Sequence, residues 1–204
     1  MRLAVECGAS AVGLVSEMPS GPGVIEEGLI AEIAARVPPP VATFLLTCKQ
    51  DADSLIAQQR RCRANTLQLC DRVAPEVYRE LRAALPGVAL VQVVHVGGPE
   101  SIGEACEAAA HVDALLLDSG NQSLPVKELG GTGRVHDWRV SRRIRERAGV
   151  PVFLAGGLNA SNVAAAVEAV RPFGLDVCGG VRTDGKLDAA KLKRFFAAVI
   201  ESEG

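Results

Sequence analysis

The sequence predicts an α/β fold built on a parallel sheet, and three observations predict it. Short apolar runs of β type recur along the 204 residues, each followed by a longer amphipathic stretch. The runs are continuous rather than alternating, which is how strands covered on both faces read. No linker or low-complexity segment interrupts the pattern, so residues 1–204 are expected to form a single domain.

The first element is the hardest to place. "VECGAS" puts a cysteine after a short apolar run, where it could end a strand. The next strand-type run, "AVGLVS", begins four residues after Cys7, which leaves no room for a helix between them. "VECGAS" therefore reads as the end of a helix, with Gly8 as its C-cap.

The later elements follow in order. "VIEEGLIAEIAARV" carries Ile25, Leu29, Ile33 and Val37 at helical spacing. The strand run "PVATFLLT" (40–47) precedes "DADSLIAQQRRCRA", a helix opened by capping aspartates. "TLQLC" (66–70) precedes "APEVYRELRAAL", where Pro75 suits a first helical turn. "ALVQVVHV" (89–96) leads to "SIGEACEAAA", and "DALLLDS" (113–119) ends a strand in Asp118. The long irregular stretch 120–136 then reads as a functional βα loop. "HDWRVSRRIRERA", "PVFLAGG" (151–157), "NASNVAAAVEAV", "GLDVCGGV" (174–181) and "DAAKLKRFFAAVI" complete the alternation. The expected architecture is a TIM (β/α)8-type barrel with seven recognisable strands, incomplete because a closed barrel has eight.

Composition narrows the function. Hydrophobic residues make up 48% and aromatic ones 3%, so the core is aliphatic. A net charge of −2 leaves no basic excess for nucleic acid or an acidic membrane surface. No apolar run approaches the ~20 residues of a membrane helix, and Glu6 breaks the N-terminal run before a signal peptide can form. The six cysteines show no CxxC pair and no zinc spacing with histidine, so no metal site is expected. Free thiols point to the reducing cytoplasm.

The residues that carry chemistry lie mainly in the C-terminal half. Glycines cluster at "GGTGR" (Gly131, Thr132, Gly133), at "AGGLNASN" (Gly156, Gly157) and at "CGGV" (Gly179, Gly180). Glycine lets backbone N–H groups approach a ligand, and helix N-termini favour anions, so the three turns together suggest a phosphate site. Asp118 ends its strand where a barrel places general acids and bases. Asp176 sits inside an apolar strand and needs a hydrogen bond or a charged partner there. His95, His136, Cys70 and Cys178 are each more ordinary as packing residues.

"DALLLDS", the loop with "GGTGRVHDW", "PVFLAGGLNASNV" and "VRPFGLDVCGGVRTDGKLDAAKLKRFF" together resemble the phosphoribosylanthranilate isomerase family of tryptophan biosynthesis. The resemblance implies a barrel without cofactor or metal and a phosphorylated sugar-type substrate. It implies an Amadori rearrangement of N-(5-phosphoribosyl)anthranilate to a 1-amino-ketose phosphate. Asp118 matches the family's general acid and Asp176 its last-strand aspartate. The glycine clusters match its phosphate-binding end.

The chain also departs from that pattern. The family's first strand, with a "CGIT"-type general-base cysteine, has no counterpart before "AVGLVS". The "SPR"-type arginine is replaced by "SGPG" around Pro22, "QLHG" has become "QLCD", and Arg182 stands in place of a glutamate. Cys70, also at a strand end, is the nearest substitute for the base. Unpaired strand edges would favour a homodimer. The alternatives are a diverged phosphosugar isomerase or lyase, and a non-catalytic phosphate-binding barrel.

Overall fold

The computed structural model describes residues 1–121, 124–129 and 133–202. Seven parallel strands pair side by side in chain order. They are β1 (Ala11–Val15), β2 (Ala42–Thr47), β3 (Thr66–Leu69), β4 (Ala89–His95), β5 (Ala114–Asp118), β6 (Val152–Leu154) and β7 (Gly174–Leu175). The helices that follow are α2 (Glu27–Ala34), α3 (Ala52–Cys62), α4 (Pro75–Ala84), α5 (Ser101–Ala109), α6 (Trp138–Arg147), α7 (Val163–Val170) and α8 (Ala189–Ser202), with α1 (Arg2–Glu6) ahead of β1. The result is a curled, open α/β barrel of TIM type. Among the described residues nothing pairs β1 with β7.

Helix α1 ends at the predicted place, with the cap one residue earlier than Gly8. Cys7 is its C-cap and Gly8 follows in the left-handed region at φ 104°. Gly8 N–H donates to Val5 O and Ala9 N–H to Ala4 O, each at 3.0 Å. This double closure satisfies carbonyls that the helix end leaves free, and it needs glycine at the left-handed position.

Alternation along each strand builds two apolar layers. Leu45, Leu67, Leu69, Leu90, Leu115, Leu117 and Leu154 face outward and meet Leu55, Leu81 and Ile144 of the helices. Val91, Val93, Ala114, Leu116 and Ala155 face inward. Inside, the Phe44 and Phe153 rings meet edge to face with centroids 5.9 Å apart. A side chain at Gly174 would stand 2.8 Å from the Phe153 ring, so glycine there makes room for it. Gln92, the polar residue within "ALVQVVHV", also faces outward. It accepts a hydrogen bond from Tyr78 Oη at 2.8 Å and donates to Leu69 O at 3.0 Å, which meets the demand of a buried amide.

The last strand is shorter than its apolar run. β7 stops at Leu175, and Gly179–Val181 forms a 3₁₀ turn. It leads into a small antiparallel hairpin, β8 (Arg182–Thr183) with β9 (Lys186–Leu187). Gly180 in the 3₁₀ turn lies against Leu158 O, where a Cβ would come within 1.9 Å.

The free edge of β1 is partly covered. Ile25 N–H donates to Val15 O at 2.9 Å, and Val24 bridges Val15. The long loop after β5 is also less irregular than its composition. Asn121 and Glu128 exchange backbone hydrogen bonds of 2.8 and 3.0 Å. Leu129 then inserts among the inward-facing residues.

Candidate active site

Because all seven strands run the same way, their C-terminal ends meet on one face. Asp118 is the last residue of β5, in register with His95 of β4. It shares the inward face with Ala114 and Leu116. The residue is buried, and its Oδ1 accepts from Ser119 N–H at 2.7 Å. Asp176 follows β7. Leu175 and Val177 on either side pack into the outer layer, so the carboxylate between them points inward. Its N–H donates to Leu154 O at 2.8 Å.

The two carboxylates act on each other. Solvent reaches Asp176 through the mouth, but the barrel wall around it, reinforced by the Asp118 charge, pushes its pKa up to about 6. Two like charges held close resist ionising together. Cys70 lies on the same inner surface at 2% exposure. Burial first, and then the charges of Asp118 and Asp176, push its thiol far above the ordinary range. Thiolate is therefore scarce there at neutral pH.

His95 was not singled out for chemistry by its sequence context. Its Nε2 lies 3.0 Å from Cys70 O. A carbonyl only accepts, so Nε2 is the donor in this contact. Nδ1 is buried without a partner. A side chain at Gly120 would approach it to 2.2 Å, so only glycine fits beside it. Lys127 and Asp71 also meet at the mouth. Their ion pair ties the β5–α6 loop to the end of β3, and Ser20 Oγ donates to Lys127 O at 2.7 Å. The only sequence signal for this pair was an aspartate directly after the strand run "TLQLC".

The glycine turns are contiguous in space. A Cβ on Gly157 would fall 2.7 Å from the Arg134 backbone and 2.8 Å from Gly133 O. One on Gly180 would fall 1.9 Å from Leu158 O. Gly133, Gly156 and Gly157 all have positive φ. Asn162 Nδ2 donates to Gly157 O at 3.0 Å, and its Oδ1 accepts from Asn159 N–H at 2.8 Å, which fixes the turn ahead of α7. Such a cradle of bare backbone before a helix N-terminus suits an anion. Gly179 borders open space. Gly131 and Thr132, also expected here, lie outside the described residues. Among the described residues no cluster of His, Cys, Asp and Glu could hold a metal ion.

Fold and site together define an open parallel α/β barrel with two interacting carboxylates at its mouth. The family model for N-(5'-phosphoribosyl)anthranilate (PRA) isomerase matches residues 22–198, and the chain belongs to that family. It is 37% identical over 199 residues to the N-(5'-phosphoribosyl)anthranilate isomerase of Halorubrum lacusprofundi, covering 97% of this chain and 89% of that one. Against the enzyme of Methanocella arvoryzae it is 33% identical over 189 residues, covering 93% and 86%. The crystal structure of phosphoribosyl anthranilate isomerase from Thermotoga maritima superposes with a TM-score of 0.83 at 26% identity, covering 98% of this chain and 92% of that one. A phosphoribosyl anthranilate isomerase in complex with reduced 1-(o-carboxyphenylamino)-1-deoxyribulose 5-phosphate gives 0.80 at 25% identity, covering 98% and 92%.

The raised carboxyl has a consequence for stability. Its surroundings and the Asp118 charge push Asp176 up to about 6 from an ordinary 3.8. Between these values the folded state binds more protons than the unfolded one, so ionising Asp176 costs stability as pH rises through that window. Asp176→Asn removes this cost. Denaturant unfolding should show its stability relative to the unsubstituted protein higher at pH 7 than at pH 4. An equal difference at both pH values would mean an unshifted carboxyl.

Proposed function

We propose that this chain catalyses the Amadori rearrangement of N-(5-phosphoribosyl)anthranilate to the corresponding 1-amino-ketose phosphate in tryptophan biosynthesis. The observation that carries this reading is the Asp118–Asp176 pair beside the glycine turns. Ring opening needs a proton on the ribose ring oxygen, and the rearrangement then needs the C2 proton removed. Asp176, pushed up to about 6, is mostly ionised at pH 7 and a stronger base than an ordinary carboxylate, and Asp118 stands where the family has its general acid. Asp118 donates to the ring oxygen. Asp176 takes the C2 proton, in preference to Cys70, whose thiol is held protonated. C1 is then protonated as the ketone forms, so no atom is gained or lost.

In this reading Gly133, Gly156, Gly157, Gly179 and Gly180 hold the phosphate through backbone N–H groups, with Gly131 and Thr132 completing the set. The partner is a phosphorylated sugar-type small molecule. The free state of all six cysteines supports a reducing, cytoplasmic location. Two copies pair through the open edges at β1 and β7, because unpaired strand edges recruit partners. Phe173 beside β7 is 71% exposed and would be covered by such a contact.

Turnover of N-(5-phosphoribosyl)anthranilate tests the chemistry. Asp118→Asn and Asp176→Asn should each lower kcat by about 10²–10⁴, while Cys70→Ala should stay within about tenfold. The reverse pattern would return the base to Cys70, and no turnover by the unsubstituted chain would overturn the assignment. For assembly, sedimentation should give a dimer that Phe173→Glu dissociates. A monomer at micromolar concentration contradicts pairing through the edges.

A further inference from the structure

We infer that Arg182 is a specificity-determining residue that binds the carboxylate on the aromatic ring of the substrate. This rests on the substrate class proposed above, a molecule with an anionic group at each end. The glycine turns supply backbone N–H groups for one anion. The other needs a cation displaced from them along the rim.

Most cations near the mouth are already neutralised. Lys127 pairs with Asp71, Arg134 with Glu128 and Arg72 with Glu104. Lys49 and Arg182 make no ion pair among the described residues, and Lys49 acts only weakly on Glu27 and Asp51. Arg182 differs from Lys49 in its surroundings. Its Nη1 donates to Gly185 O at 2.8 Å, and its Nε is buried without a partner. A buried donor on a charged group left unpaired is costly, and an acceptor reaching it recovers that cost.

Position adds to the argument. Arg182 comes two residues after Gly180, yet its guanidinium reaches away from the glycine turn. Nη2 lies 3.7 Å from where a Cβ on Gly23 would stand, and that same point is 3.9 Å from Val15 Cγ2 at the end of β1. The side chain therefore spans from the β7 side of the open barrel to the β1 side. Gly23 has no side chain to compete for the guanidinium. The backbone beneath Arg182 is fixed, since Lys191 Nζ donates to Arg182 O at 2.7 Å and Arg182 pairs with Leu187 in the β8–β9 hairpin. A planar guanidinium held at its base suits two-point binding of a carboxylate.

Calorimetry with two ligands separates this role from a phosphate contact. One is reduced 1-(o-carboxyphenylamino)-1-deoxyribulose 5-phosphate and the other its phenylamino counterpart without the carboxylate. Arg182→Met should weaken the first by about 10- to 100-fold and leave the second within about threefold. Arg182→Lys should recover part of the loss, and thermal melts of both variants should match the unsubstituted protein. Equal weakening of both ligands, or weakening of neither, would overturn the inference. If the unsubstituted protein binds both equally, the inference alone fails. If it binds neither, the proposed function fails with it.

Discussion

The constraint on which the rest depends is the two-residue alternation of a parallel sheet whose strands all end on one face. Each strand sends one residue to the helices and the next to the barrel interior. In β5 this puts Leu115 and Leu117 outward and Ala114, Leu116 and Asp118 inward. A slip of one residue would turn Asp118 toward the helix layer, where a carboxylate has no partner, and expose Leu117 to the mouth. The hydrophobic layers thus fix the register, and the register fixes the chemistry.

The mouth then follows from where the chain must turn. Positive φ at Gly156 and Gly157, and the contact of Gly180 with Leu158 O, bring successive βα turns against one another. Side chains would hold these segments apart. The β5–α6 loop is pinned over the same face by the Lys127–Asp71 pair and by Leu129, which reaches into the interior. The strands provide a rigid floor, and the turns and loop provide the walls of the candidate site.

Much of this was legible in the sequence, and the exceptions have physical causes. The seven strands show as continuous apolar runs because helices cover one face and the interior the other. Asp118 and Asp176 stand out because an acid beside such a run is costly unless it has a function. Their mutual effect does not show, since 58 residues separate them in the sequence and only barrel curvature brings them together. The high pKa of Cys70 is likewise a product of tertiary burial. The run "GLDVCGGV" reads as a longer strand than β7, because apolar composition alone does not show where strand pairing stops and the 3₁₀ turn begins. Gln92 is polar within an apolar run, and its partner, Tyr78, comes from a neighbouring helix that the run itself does not reveal.

The central claim is that one mouth, built from these turns and carboxylates, binds the sugar phosphate. Amide chemical shifts of the ¹⁵N-labelled protein during titration with ribulose 5-phosphate test it most directly. The account predicts that the largest shifts fall at Gly133, Gly156, Gly157, Gly179, Gly180 and Asp176. Shifts concentrated instead along the arginines of α6, or in the groove lined by Tyr78, Arg82 and His111, would contradict it, as would none at all.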